Sequence, residues 1–295
     1  MRAATVTLSS FDALGAHAVP ADGEAPAAHL TTAMCPPEWT CVVPFFNEAP
    51  QLARTLTSLA EQKVPFKLVL VDNGSTDGSG EVAQSIASEL DLDHVLVNEW
   101  RPGKVAALAA GIAIAATMLI ATCDADTFYP PDYLDLGGQM LTKQGFVAVG
   151  AFLAPDASRR ARTSVAVWLR WLAALLWPTQ CHTGGAGQMF RADALRGVGG
   201  FCVNRWNLVL EDHEIFGRLA AIGRIGYNRA LWCVPAKRKH RRRQVGWSPS
   251  ERLVYRCTSR QRLDVFFSNF LGPRLRRRGQ SSERLRADWG DAATP

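Results

Sequence analysis

The sequence predicts an α/β domain built on one central, mainly parallel sheet flanked by helices. Three observations carry that expectation. Short apolar runs of strand length alternate with segments whose apolar residues recur at helical spacing. Such alternation implies right-handed crossovers between parallel neighbours. The apolar runs end in acidic or amide residues, where parallel sheets place their ligand crevices. The composition is that of an ordinary globular chain: of 295 residues, 47% are hydrophobic and 20% charged, enough to bury a core without cross-links.

The elements follow in order. Residues 40–46 (TCVVPFF) read as a buried strand, with Asn47-Glu48-Ala49-Pro50 as the loop after it. Residues 51–62 place Leu52, Leu56 and Leu59 on one helical face. Residues 67–71 (KLVLV) form a second strand, which Asp72-Asn73-Gly74-Ser75 turns sharply. Residues 79–90 are a helix with Val82, Ile86 and Leu90 on one side, and 94–97 a third strand. A helix from Lys104 to about Thr117 leads into a fourth strand, 118–123, ended by Asp124-Ala125-Asp126. Pro131 suits the first turn of another helix, and 146–152 is a further strand. Beyond it the pattern is less regular: Gly-rich loops at 183–187 and 196–201, a helix opened by Glu211-Asp212, a strand at 227–234, and helical pieces near Leu253 and Phe266.

Two apolar segments resemble membrane spans and are rejected as such. Residues 105–121 are Ala-rich, broken by Gly111 and Thr117, and at the lower length limit for a span. Residues 165–177 are shorter and carry Arg170 in their middle; with Trp168, Trp171 and Trp177 they read as a packing helix, the alternative being a helix in a membrane interface. The domain organisation expected is a loosely ordered N-terminal extension (1–39), one catalytic domain (40–272) and a basic C-terminal tail (273–295). The 7 cysteines have no zinc or redox spacing, and no secretory signal is visible. Both features point to a cytoplasmic location, with peripheral contact on the inner face of the membrane left open. The net charge of +6 fits an acidic substrate or an anionic surface. Nucleic acid is not expected, because no reader motif accompanies the basic run 237–243 (KRKHRRR).

Asp124 and Asp126 follow a strand end, and two carboxylates so spaced can approach one hard cation, magnesium or manganese. The blander alternative is a solvated turn. Asp72 ends another strand, where its carboxylate can accept hydrogen bonds from a nucleobase N–H, and the turn after it is compatible with that use. Glu211-Asp212 opens a helix, which acids favour in any case. A fixed carboxylate there could also take the proton of an attacking hydroxyl. His182, alone beside Gly-rich sequence, reads as structural.

The ordered set resembles the family 2 glycosyltransferases of GT-A fold: Pro44-Phe45-Phe46-Asn47-Glu48, Val71 to Gly78 (VDNGSTDG), Gly103-Lys104, Asp124-Ala125-Asp126, Gly184-Gly185, Gly199-Gly200-Phe201 and Glu211-Asp212. The match runs from about Thr40 to about Val234. The resemblance implies inverting transfer from a UDP-, GDP- or dTDP-sugar with a divalent metal, Mn or Mg. It implies Asp72 as the base-binding aspartate with Pro44 and Glu48 beside the nucleotide, and Lys104 as the basic residue near the donor. It further implies Asp124 and Asp126 at diphosphate and metal, and Asp212 as catalytic base. Asn73 departs from the second aspartate of many members, and Gln-x-x-Arg-Trp, the signature of processive synthases, is absent. One sugar per encounter is therefore expected. A base-binding Asp favours uracil, hence a UDP-sugar. The acceptor is left open, a lipid-linked one included. Two alternatives stand beside this reading: a nucleotidyltransferase that makes nucleotide-sugars, and a non-catalytic sugar-nucleotide or membrane-binding module.

Overall fold

The computed structural model describes residues 39–158, 165–236 and 246–284. Four strands, β1 (Trp39–Phe45), β2 (Phe66–Asp72), β3 (His94–Asn98) and β4 (Leu119–Thr122), run parallel in the order β3-β2-β1-β4. The crossovers are the helices α1 (Ala49–Ala60), α2 (Ser79–Glu89) and α3 (Lys104–Ile114). Period-two alternation sorts the strand residues between the faces. Val42, Val69 and Val71 pack with Val105, Leu108 and Ile112 of α3, while Cys41, Val43, Leu68 and Leu70 pack with Leu52, Leu56 and Leu59 of α1. The sheet is therefore covered on both sides, as a parallel sheet requires.

α3 ends earlier than its apolar run suggests. Ala115 turns extended, and Thr117 bonds Thr40 Oγ1 at 2.7 Å and donates to Leu119 O at 2.9 Å. The chain is thus steered into β4.

After β4 come β5 (Thr127–Phe128), α4 (Tyr133–Leu141), β6 (Phe146–Leu153) and α5 (Val165–Leu176). β7 (Gln188–Arg191), α6 (Ala192–Gly197), α7 (Glu211–Ile222), β8 (Arg224–Pro235) and α8 (Pro249–Cys257) complete the main elements. The full sheet order is β3-β2-β1-β4-β7-β6-β8-β5. The expectation of a mainly parallel sheet holds, with β7 as the element that the sequence pattern did not reveal. It is four residues long and wedged antiparallel between β4 and β6, with Gln188 opposite both Thr122 and Gly150. Because β7 runs backwards, its start lies at the edge where β4 ends. The loop before it, Gly184–Gly187, is thereby brought to the ligand side of the sheet.

The segment from Arg260 to Arg277 is helical throughout, through a π turn at Phe266–Leu271. The chain then packs back on the site. Leu275 is buried, Gln280 O accepts from Val209 N–H at 3.2 Å, and Ser282 Oγ accepts from Val105 N–H at 3.4 Å. Residues 273–284, expected in a basic tail, so form a wall beside the start of α3. Among the described residues no helix is long and apolar enough to cross a membrane. The basic run 237–243 and residues 1–38 of the expected N-terminal extension lie outside the described residues.

Candidate active site

β1 and β2 end in register, Phe45 opposite Asp72, so the loops after them leave the sheet side by side. Hydrogen bonds stitch the two loops together. Thr76 N–H donates to Asn47 Oδ1 at 2.8 Å, Asn47 N–H to Ser75 Oγ at 3.1 Å, and Glu48 N–H to Ser79 Oγ at 2.9 Å. Asn47 itself has φ of 52°, a conformation that asparagine tolerates better than most residues. Asp72 is buried, and its Oδ1 accepts from Ser75 N–H at 2.7 Å. A Cβ at Gly80 would lie 2.7 Å from Asp72 Oδ2, so the glycine makes room for that oxygen. Glu48 occupies the N-cap position of α1 without capping it through its side chain. Pro44 is half-buried and lies past the last β1 residue paired with β4, where a missing N–H costs no ladder bond.

Asn73 has a structural task that an aspartate could not perform. Its amide donates to Glu99 O at 2.9 Å and Arg101 O at 2.7 Å, while its Oδ1 accepts from Gly103 N–H at 2.7 Å. A carboxylate can accept but cannot donate. These bonds fix the loop that ends at Lys104, the first residue of α3.

Lys104 is the centre of a charge cluster. Its Nζ lies 2.5 Å from Asp124 Oδ1 and 3.8 Å from Glu211 Oε1. Asp124 is set by its main chain: its N–H donates to Tyr129 Oη at 2.8 Å, and that hydroxyl donates to Ala186 O at 2.9 Å. Glu211 and Asp212 are aimed by Leu210, a non-glycine residue at φ +65°, a strain of about 1 to 3 kcal/mol of the kind found at functional sites. Gln188 Nε2 holds the main-chain carbonyl of Asp212 at 2.9 Å, and Asp212 Oδ1 accepts from His213 N–H at 2.9 Å. A Cβ on Gly185 would come within 2.9 Å of Lys104 Nζ and 3.6 Å of Glu211 Oε1. A side chain at this point of the β7 loop would press on the end of Lys104.

Burial pushes the Glu211 carboxyl up to about 7 and that of Asp212 up to about 6, against the opposing pull of the Lys104 ammonium. Burial by itself would lower Lys104. The carboxylates of Asp124 and Glu211 outweigh it and hold the lysine above its ordinary value. The cluster thus holds Lys104, Asp124, Glu211 and Asp212 together, an excess of negative charge in a partly dry place. Asp126, two residues on, is buried: Thr127 Oγ1 donates to its Oδ1 at 3.3 Å, and its carbonyl accepts from Ala236 N–H at 2.8 Å. Of the expected site residues, Pro44, Glu48 and Asp72 form one group at the ends of β1 and β2.

On the far side of Asp212 stand residues that the sequence reading passed over. Cys181, Asp212 and His213 bring their ligand-type atoms within 4.8 Å of one another. The His213 ring meets Trp247 at 5.1 Å and Tyr255 at 5.6 Å edge-on, and those two rings stack at 4.8 Å. Burial, helped by Arg252, holds the His213 pKa down at about 3, so the imidazole is neutral. Its Nδ1 is buried and finds no hydrogen-bond partner among the described residues. One sequence signal pointed here: Ser248-Pro249-Ser250-Glu251 is a capping box that starts α8 directly after Trp247. His182 is tied down as a packing residue, its Nε2 2.9 Å from Trp177 O and its ring against Tyr227.

Comparison with known proteins agrees with this geometry. The profile of the family described as Glycosyl transferase family 2 matches residues 40–196, just over half of the chain. An uncharacterized glycosyltransferase, YaiP of Escherichia coli (strain K12), is 32% identical over 169 residues, covering 54% of this chain and 42% of that protein. An undecaprenyl-phosphate 4-deoxy-4-formamido-L-arabinose transferase of Pseudomonas syringae is 33% identical over 161 residues, 51% of this chain and 45% of that one. The chain thus spans less than half the length of these curated relatives. Among solved structures, the mannosyltransferase PcManGT of Pyrobaculum calidifontis, in complex with GDP-Man and Mn2+, superposes with a TM-score of 0.57 at 25% identity, over 76% of this chain and 61% of that one. TarS 1-349 of S. aureus, in complex with UDP-GlcNAc, does so at 0.54 and 15% identity, over 79% and 71%, a likeness of fold alone. With the family profile lying over the strands that carry Asp72 and Asp124, and the sheet shared with these structures, the chain belongs to the family 2 glycosyltransferases and has their GT-A fold.

Proposed function

We propose that the protein transfers one sugar per encounter from a nucleoside-diphosphate sugar to an acceptor hydroxyl, with inversion at the anomeric carbon. The observation that carries this reading is the cluster of Lys104, Asp124, Glu211 and Asp212 at the ligand edge of the sheet. Asp212 takes the acceptor's proton as the hydroxyl oxygen forms its bond to the anomeric carbon. The bond from that carbon to the diphosphate breaks on the opposite side. A base with a pKa lifted to about 6 is matched to work near neutral pH. Glu211 beside it tunes that ionisation, and Lys104 offers its charge to the departing phosphate.

Asp72, with Pro44 and Glu48 beside the nucleotide, receives the base. Its buried acceptor oxygens suit the N–H of uracil, which favours a UDP-sugar. PcManGT and TarS were solved with GDP-Man and UDP-GlcNAc respectively, both nucleotide-sugars. A divalent cation fits the donor set on chemical grounds: hard oxygens, and more carboxylates than ammonium groups. Asp124 and Asp126 would hold Mn or Mg, which when bound supplies neutralisation of the leaving diphosphate. Family membership supports transfer over the nucleotidyltransferase alternative. The missing Gln-x-x-Arg-Trp supports a single addition. The relative named for undecaprenyl phosphate supports a lipid-linked acceptor and peripheral contact with the membrane.

The test is a melting panel of nucleoside diphosphates with and without Mn2+. A ligand at about 100 times its Kd adds roughly 2.7 kcal/mol. The reading expects a metal-dependent rise with UDP. No rise with any nucleoside diphosphate removes the donor site.

A further inference from the structure

α5 carries two apolar stripes. Val167 and Ala174 are buried, and Trp171 between them is half-buried with Arg229 over its ring at 5.9 Å. That stripe does the packing against β8. Among the described residues the opposite stripe has no such cover. Trp168, Leu169, Leu175 and Leu176 all lie exposed, Leu176 at 62%. The patch does not end with the helix. Arg256 of α8 lies over the Trp177 ring at 5.8 Å, so α8 continues the same face. Leu253 stands three residues before Arg256, on the same side of α8, and is 63% exposed. A contiguous apolar surface of this kind marks an interaction site.

The charge carried by α8 and the segment after it selects the partner. From Glu251 to Arg278 the chain holds eight arginines against two acids. Both acids are already paired, Glu251 with Arg278 at 2.9 Å and Asp264 with Arg205 at 2.5 Å. Arg252 and Arg256 flank Leu253. Two copies of such a face would set arginines against arginines, whereas an anionic surface would meet them with opposite charge. Tryptophan, leucine and arginine on one helical face are the residues of a membrane interface. Beneath α5 lies a cavity of about 460 Å³ lined largely by apolar groups, Phe146, Trp171, Ala174 and Tyr227 among them.

We infer that the outer face of α5 and the adjoining face of α8 dock on an anionic lipid bilayer. The position relative to the base gives the docking a purpose. Tyr255 of α8 accepts from Cys181 N–H at 3.1 Å and packs on His213, the neighbour of Asp212. A headgroup-borne acceptor at the bilayer surface would thus arrive beside His213 and Asp212. This last step rests on the transferase reading; the docking does not.

The test is flotation of the full chain with vesicles holding about 30% phosphatidylglycerol, against vesicles of phosphatidylcholine alone. The protein should float with the anionic vesicles and be released by about 0.5 M salt. The double variants W168E/L176E and L253E/R256E should each lower binding about tenfold or more, with melting temperature and the UDP-dependent melting shift kept. Absence of flotation in the wild type, or flotation unchanged in both variants, overturns the inference. So does a dimer in solution that W168E/L176E dissolves without any vesicle binding, since the face would then belong to a second copy. Flotation with no nucleotide response would sink the transferase reading and leave the docking intact.

Discussion

The loops after β1 and β2 and the segment that opens α7 differ in how their polar groups are satisfied. Around Asp72 the stitched loops satisfy one another: the side chains of Asn47, Ser75, Asp77 and Ser79 accept from the main-chain N–H groups of Thr76, Asn47, Ser79 and Glu48 respectively. Around Asp212 the opposite holds. Leu210 is strained, two adjacent carboxyls are pushed toward neutrality, and His213 keeps a buried nitrogen without a partner among the described residues. A pre-satisfied pocket suits binding a ligand whose shape is fixed, such as a nucleotide. An under-satisfied one stores free energy that a reacting group can draw on. In the proposed function the first region serves recognition and the second proton transfer.

Apart from removal of the base itself, the largest expected effect on this contrast comes from Lys104→Met. Without the ammonium, Glu211 and Asp212 lose the charge that opposes their protonation. Turnover at pH 7 should fall about 100-fold or more, and the acid limb of the rate profile should move to higher pH. An unmoved limb would separate Lys104 from the base. Next comes the wild-type profile itself. A base must be ionised, so kcat/KM should rise with pH through the range from about 6 to about 7 and level off above it, the carboxyl pair titrating jointly. A limb near 4 would mean that the pair is fully hydrated in solution.

Asn73→Asp probes the satisfied region. It removes the donors to Glu99 and Arg101 and leaves two part-buried carbonyls facing a carboxylate, which should cost about 1 to 3 kcal/mol, read as a lower melting temperature. A neutral outcome would show that the loop is held by Gly103 alone. The smallest effect is expected for Gly185→Ala. The new methyl meets the flexible end of Lys104, so turnover should drop a few-fold while stability changes by about 0.5 kcal/mol or less. A large loss of stability would mark the β7 loop as a packing element.

The same contrast explains what the sequence made legible. The donor side is built at the ends of periodic strands, and periodicity is a local signal, so β1 to β4, Asp72, Lys104 and Asp124 could be placed by pattern. The pairing of Lys104 with Glu211 spans more than one hundred residues and has no local signature. β7 was missed because four residues, QMFR, show too little alternation to reveal a strand. Cys181, Trp247 and Tyr255 were passed over because each reaches Asp212 or His213 from an irregular loop or a short helix. α5 was half read: its apolar content announced packing, but only the fold shows that one stripe alone is used.

The most direct test is Asp212→Asn, measured for donor affinity by titration with UDP and for turnover in the presence of donor and acceptor. Removing a general base costs about 100- to 10,000-fold in rate. The account predicts a loss of that size with the Kd for UDP unchanged within about threefold and the melting temperature kept. Turnover close to wild type, or a parallel loss of nucleotide affinity and stability, would contradict the assignment of Asp212 as the residue that takes the acceptor's proton.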